Sequence, residues 1–479
     1  MKNGIDHLRE AYGEMMRFSS KTASTVIPVA LAAVCVASLT LWLRSTSGMT
    51  FYERAPSAKV EERPATAAAA IVGSLTKSDG IPANLPGAWP RFRGANLDNI
   101  SPERTPLSRS WPPEGPKALW SVTLGEGHAG AAVLDGCAYV FDYDQVERAD
   151  ALRCLSLADG RDIWRFSYPV EVKRNHGMSR TVPTVTERHV VGIGPKCHVI
   201  CLDSKTGLLK WAIDLARQYG TKVPPWYAGQ CPLIDGDRVI LAPGGRFLMI
   251  AVDVESGATI WKTANLNAWQ MTHSSIVPMR FSGKQTYVYC ASGGVVGVNA
   301  VDGSVLWQTS EWRINIATVP TPVVVGDNRV FLTGGYNAGS MMLELKEEGG
   351  KVVPRVVFRL PATVFGCEQQ TPILYKDHLY GVTAGGQLVC LSLEGKVLWA
   401  SGPRNTFGLG PLLIADGMIY ALNDNGLLSL AEADSTSYKQ LAQAHVLQGH
   451  DSWGPMAIAN GLLLVRDLTT MTCLDVRKH

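Results

Sequence analysis

The sequence predicts an all-β chain, an eight-bladed β-propeller preceded by one N-terminal transmembrane helix. Three observations carry that prediction. Tryptophans recur at a near-constant interval, each interval holds several short apolar runs broken by tight turns, and one long apolar run stands alone near the N-terminus. Trp120, Trp164, Trp211, Trp261, Trp307 and Trp399 each end a similar phrase, at steps of 44, 47, 50, 46 and 92 residues. The last step is a double one, and VPRVVF, ending at Phe358, fills the skipped beat. A period of roughly 40–50 residues with several short strands per unit is the signature of a propeller.

The elements follow in chain order. Residues 1–21 mix acids and bases and read as a short tail. From Thr22 to Leu43 the only ionisable side chain is Cys35. A run of that length and polarity is long enough to cross a bilayer as a helix. A cleaved signal peptide is the competing reading, but its apolar core is shorter and an A-x-A-like site follows it. No such site follows Leu43, and in AAVC a valine precedes Cys35 where a lipoprotein signal wants a small residue. Residues 22–43 are therefore expected to be an uncleaved anchor. Basic residues at its two ends are nearly balanced, so charge alone does not orient it. Residues 44–87, with APSAKVEERPATAAAA, are rich in Ala, Pro and charge and read as a flexible linker. Residues 88–479 are expected to form the propeller.

Within the propeller each unit repeats one plan. VLDGCAYVF (133–141), LIDGDRVIL (233–241), VVGDNRVFL (324–332) and LIADGMIYAL (413–422) are pairs of apolar runs around a short polar turn, the mark of a hairpin. A third strand follows, as in HVICLDS or TMTCLDV, then a tight turn and a fourth strand closing at Trp. Cuts after 120, 164, 211, 261, 307, 358, 399 and about 441 give eight units. The last unit lacks a fourth strand, and PKALW (116–120) supplies a spare one. The N-terminal segment is thus expected to close the ring beside the C-terminal strands, removing exposed sheet edges. The six tryptophans are assigned a structural role, filling space between neighbouring blades. GYNAGSMMLELKEEGGK (335–351) reads as a long hairpin on one blade.

Residues just before each innermost strand should ring one mouth of the central channel. The candidates for ligand binding come from these stretches: His176 and Arg180 in the second unit, Gln230 in the third, His273 in the fourth, and Asn315 in the fifth. Glu368 and Gln369 in the sixth and Asp451 and Trp453 in the eighth complete the set. Arg180 would bind an anionic group, His176 and His273 would move protons, and Glu368 would act as base or cation ligand. Trp226 and Trp453 would offer stacking faces. Polar groups converging on a channel mouth make the default ligand site. No spacing among them matches a catalytic motif, so the catalytic residues are unassigned.

Other chemistry is excluded. A net charge of +3 gives no field for nucleic acid. GGVVGVNAVDG (293–303) lacks the strand-to-helix context of a nucleotide fingerprint. Nine of ten cysteines lie beyond the anchor, an odd number for full disulfide pairing. Cys154, Cys201, Cys390 and Cys473 share one slot on the third strand, where cysteine behaves as a small buried apolar residue. Cys197, His198 and Cys201 do not make a metal site, because strand alternation turns the histidine away. No metal site is expected.

LDSKTGLLKW (202–211) and VDVESGATIW (252–261) resemble the A-x-D-x-x-T-G-x-x-x-W repeat of pyrroloquinoline-quinone (PQQ) propellers. WPRFRGANLDNISPE (89–103) also resembles the W-P-x-F-R-G-x-N-x-x-G-x-S lead-in of bacterial members, with Asn99 at the last Gly. The resemblance spans Trp89–His479 and implies a quinoprotein alcohol dehydrogenase-like fold. It implies two kinds of function. One branch is PQQ- and calcium-dependent alcohol or sugar dehydrogenases; the other keeps the propeller as a scaffold, as in outer-membrane assembly lipoproteins. Many of the enzymes stack PQQ on a disulfide between adjacent cysteines, and this chain has no Cys-Cys pair.

The reading that results is a membrane-anchored, monomeric propeller in the periplasm or another exported compartment, binding a protein or envelope component without a cofactor and without catalysis. The alternative is a quinoprotein-type oxidoreductase using PQQ with calcium at the polar mouth.

Overall fold

The computed structural model describes residue 29, residues 31–41 and residues 71–479. The tail, part of the expected anchor and most of the linker lie outside the described residues. The described part of the anchor run is helical. Among the described residues no helix is long and apolar enough to cross a membrane.

Eight antiparallel sheets make the propeller. Their innermost strands begin at residues 132, 184, 233, 277, 323, 373, 412 and 457, and define blades 1 to 8 in chain order. The ring closes as expected. Lys117–Thr123 is the outer strand of blade 8, pairing Trp120 with Cys473 on Thr470–Asp475. One strand lies inside the segment read as linker. Ser74–Lys77 adds a fifth strand to blade 1, aligned from Ser74 opposite Ser167 to Lys77 opposite Trp164. Its composition is not apolar; the pairing orders it, and Ile71 and Leu75 pack against the core that includes blades 1 and 8. Folded structure therefore starts earlier than Trp89.

The repeat phrase has a physical basis between blades. The turn glycine before each fourth strand has a positive φ: +73° at Gly160, +74° at Gly207, +71° at Gly257 and +75° at Gly303. The preceding blade's tryptophan lies against it. A Cβ at Gly257 would sit 2.8 Å from Trp211, and one at Gly303 would sit 2.5 Å from Trp261. Only glycine meets both demands. Beside that turn the indole N–H donates to a backbone carbonyl of the next blade: Trp120 to Leu157 at 2.9 Å, Trp164 to Ser204 at 3.2 Å, Trp211 to Val254 at 2.8 Å and Trp261 to Ala300 at 3.2 Å. Trp399 reaches Asp434 at 2.9 Å. Each tryptophan is thus a rivet between one blade and the next.

Trp307 is the exception, with its indole nitrogen buried and unpartnered. Blade 5 replaces the tight turn with the long hairpin Gly339–Glu348 and Lys351–Leu360, so the usual carbonyl is absent. Phe358 takes the tryptophan position there, and Gly395 of blade 6 sits under its ring, 2.9 Å from the place of a Cβ. The slot cysteines lie opposite the rivets: Cys154 pairs with Trp164, Cys201 with Trp211 and Cys390 with Trp399. The nine cysteines after Cys35 are free and buried.

Candidate functional site

The loops that enter the innermost strands come together at one mouth of the channel and line a cavity of about 360 Å³. Its far side is closed by the lead-in segment, which crosses the channel along the innermost strands. Trp89 exchanges backbone bonds with Val133 in blade 1, the Pro90 carbonyl accepts from Val185 in blade 2, and Ser101 donates to Ile414 in blade 7. Arg91 donates to the Ile234 carbonyl at 3.1 Å and buried Arg93 to that of Pro372 at 3.2 Å. Burial pushes the Arg93 guanidinium down to about 10. Phe92 and Asn99 therefore lie in the cavity lining, and the channel is a blind cup. The apolar part of the lining includes Leu409, Pro411, Leu412, Pro455 and Met456.

The cationic side is built around Arg180, on the loop into blade 2. Its Nε donates to the Trp226 carbonyl, and its Nη2 to the carbonyls of Asn175 at 2.9 Å and His176 at 2.7 Å. Burial lowers its pKa to about 10. His128 donates through Nε2 to the His176 carbonyl, 2.9 Å away, and its ring lies against Trp453 with centroids 5.0 Å apart. Burial first, then the charges of Arg180 and Arg466, push His128 down to about 3. Burial and Arg180 likewise push His273 down to about 4. Both imidazoles are neutral at pH 7.

Two tryptophans frame the cup. Trp453 is aimed by its indole N–H, which donates to Asp424 Oδ1 at 2.8 Å. Trp226 faces His273 at 6.4 Å between centroids. Trp226 and Tyr227 both hold left-handed backbone, at φ 60° and 74°. Such conformations are costly for bulky residues and concentrate at functional sites. The Tyr227 hydroxyl, donating to the Lys173 carbonyl at 2.6 Å, helps pin this turn.

Of the residues singled out in the sequence, His176, Arg180, His273, Glu368, Gln369, Trp226 and Trp453 line the cavity. Three others do not. Gln230 is fully buried in blade 3, where its amide pairs with the backbone of Ala242 at 2.9 and 3.4 Å. Asn315 is exposed on the loop into blade 5, outside the lining. Asp451 is half-buried, and its carbonyl accepts the Trp453 N–H at 2.7 Å, so it shapes the turn that presents the indole. All three lie on irregular backbone ahead of an innermost strand, where position in the sequence does not fix the direction of a side chain. Tyr336, from a turn of blade 5, and the floor residues Phe92 and Asn99 were missed; for the latter two the lead-in motif is the signal.

Comparison with known proteins places this geometry. The family described as outer membrane protein assembly factor BamB matches residues 112–218 and 148–355, more than half of the chain. The chain belongs to this family of PQQ-like propellers. It is 24% identical over 231 residues to the outer membrane protein assembly factor BamB of Yersinia pestis, across 45% of this chain and 57% of that one. It thus spans a little over half the length of that curated relative. The crystal structure of BamB from Moraxella catarrhalis has a TM-score of 0.52 at 17% identity, covering 75% of this chain and 99% of that chain, a likeness of fold. A quinohemoprotein alcohol dehydrogenase, ADHIIG from Pseudomonas putida HK5, has a TM-score of 0.48 at 11% identity, covering 82% and 80% of the two chains.

The residues present do not fit PQQ with calcium. Calcium takes six or more oxygen ligands, usually several of them carboxylate. Among the described residues Glu368 is the one carboxylate in the cavity lining, and no group of three His, Cys, Asp or Glu is placed to hold a metal. Cys231, also in the lining, is a free thiol that burial pushes up to about 11, far from a disulfide platform.

Proposed function

We propose that this BamB-like propeller is a non-catalytic binding module of the cell envelope. Residues 22–43 anchor it in a membrane, residues 44–70 tether it, and the propeller faces the periplasm or another exported compartment. Its partner is a protein of the outer-membrane assembly apparatus or another envelope component, engaged at the mouth that carries His176, Arg180, His273, Glu368, Gln369 and Trp453. The observation that carries the proposal is the family match combined with a blind cup that has one carboxylate in its lining. The mouth supports a protein partner. Trp226 and Trp453 in the lining offer aromatic faces, the kind of side chain enriched where proteins meet partners.

Deletion of the gene tests the proposal. Folded outer-membrane β-barrel proteins should fall in the deletion strain and return with the wild-type chain. Unchanged barrel levels together with a lost dehydrogenase activity would overturn it.

A further inference from the structure

We infer that the cup takes one carboxylate carried on a compact apolar body, with the carboxylate at Arg180 and the body on the floor; this rests on the mouth being the binding site. Arg180 is held by three backbone carbonyls through Nε and Nη2, and among the described residues its Nη1 has no hydrogen-bond partner. Among the described residues no carboxylate forms an ion pair with it. A part-buried guanidinium without a counter-charge calls for an anion from outside the chain. His128 and His273 beside it are neutral, so the wall carries one charge and matches one anionic group.

The rest of the cup limits what carries that group. The floor, with Phe92, Val319, Leu412 and Met456 in its lining, favours an apolar body. Trp226 and Trp453 give it flat walls. Glu368 stands on the loop into blade 6, four blades round the ring from the loop that carries Arg180. A second negative group on the ligand would meet that carboxylate, so polyacids are disfavoured. At about 360 Å³ the cavity is at the small end of ligand sites, which run from roughly 300 to 1,000 Å³. The two sources of this chemistry are a free aryl or alkyl monocarboxylic acid and the C-terminal residue of a peptide.

The test is ligand-observed NMR and calorimetry on the full-length chain with four probes. These are 3-phenylpropanoate, 3-phenylpropanamide, and N-acetylglycyl-phenylalanine as free acid and as amide. Each acid should bind roughly tenfold or more tightly than its amide, the worth of one charged hydrogen bond. Arg180→Gln should erase that ratio, while Trp453→Ala should weaken acid and amide alike. In the wild-type chain, acid binding should weaken as salt is raised and amide binding should not, a readout that needs no variant. A tighter peptide acid identifies a chain terminus as the source, and a tighter free acid identifies a small metabolite; either supports the inference. Acid and amide binding equally, both weakened by Trp453→Ala, would overturn the carboxylate rule and leave the mouth as a site. No binding, or binding indifferent to both Arg180 and Trp453, would overturn both.

Discussion

Replacing Trp211 with Phe, and separately Trp307 with Phe, tests whether the repeat tryptophan acts as a rivet or only as filler. Both indoles are buried, at 8% and 4% exposure, so the loss of ring volume is similar. Trp211 Nε1 donates to the Val254 carbonyl at 2.8 Å across the blade boundary. Trp307 Nε1 has no acceptor. Trp211→Phe therefore removes a bond and leaves a buried carbonyl short of its main partner, a cost of about 1–3 kcal/mol on top of the cavity. Trp307→Phe creates the cavity but removes an unsatisfied donor, which offsets part of that cost. The first variant should lose about 2 kcal/mol more than the second, read as a difference in unfolding free energy from equilibrium urea titration. Equal losses, or a larger loss at Trp307, would refute the reasoning.

Further outcomes follow from the same geometry. Gly257→Ala places a methyl 2.8 Å from Trp211 at φ +71°, whereas Gly236→Ala, at φ +61°, meets nothing within 4 Å. The second should cost only the backbone strain of about 1–2 kcal/mol and the first clearly more, by the same urea titration. Asp150 is fully buried, accepts from the Tyr168 hydroxyl at 2.7 Å, and is raised by burial from 3.8 to about 8. Its folded form keeps a proton that the unfolded chain loses, so its contribution to stability declines as pH rises from about 4 to 8. The stability advantage of Asp150→Asn over wild type should therefore widen across that window, by several kcal/mol at about 1.4 kcal/mol per unit, and a flat difference would count against it. His128 and His273 run the other way, depressed from 6.5 to about 3 and 4. Their stabilising contribution is present above about 6.5 and is lost as pH falls toward 4. His128→Gln should accordingly reduce the loss of thermal stability between pH 7 and pH 4.

Much of the fold is legible in the chain because each blade repeats one set of physical demands. A tryptophan every 40–50 residues, in most blades with a glycine four positions before it, and alternating apolar runs leave few other architectures. The spare strand at 116–120 was readable because the last unit lacked one. Ser74–Lys77 was not readable, since SLTK carries no apolar alternation and is ordered by pairing with Asp162–Pro169. The mouth was legible as a set of loops, which is why Arg180, His273, Glu368 and Trp453 emerged together. Gln230, Asn315 and Asp451 share those loops but turn elsewhere, and sequence position within a loop does not tell which way a side chain turns. The floor was least legible: Phe92 lies far from the loops in sequence and reaches them only because the lead-in threads the channel.

The most direct test of the central claim, a binding propeller without a quinone cofactor, is calorimetric titration of the full-length chain with PQQ in the presence of calcium. The account predicts no saturable one-to-one binding to a chain that unfolds cooperatively, because among the described residues Glu368 is the one carboxylate lining the cup and the sequence has no adjacent cysteines. Tight one-to-one binding that requires calcium would contradict it and restore the oxidoreductase reading.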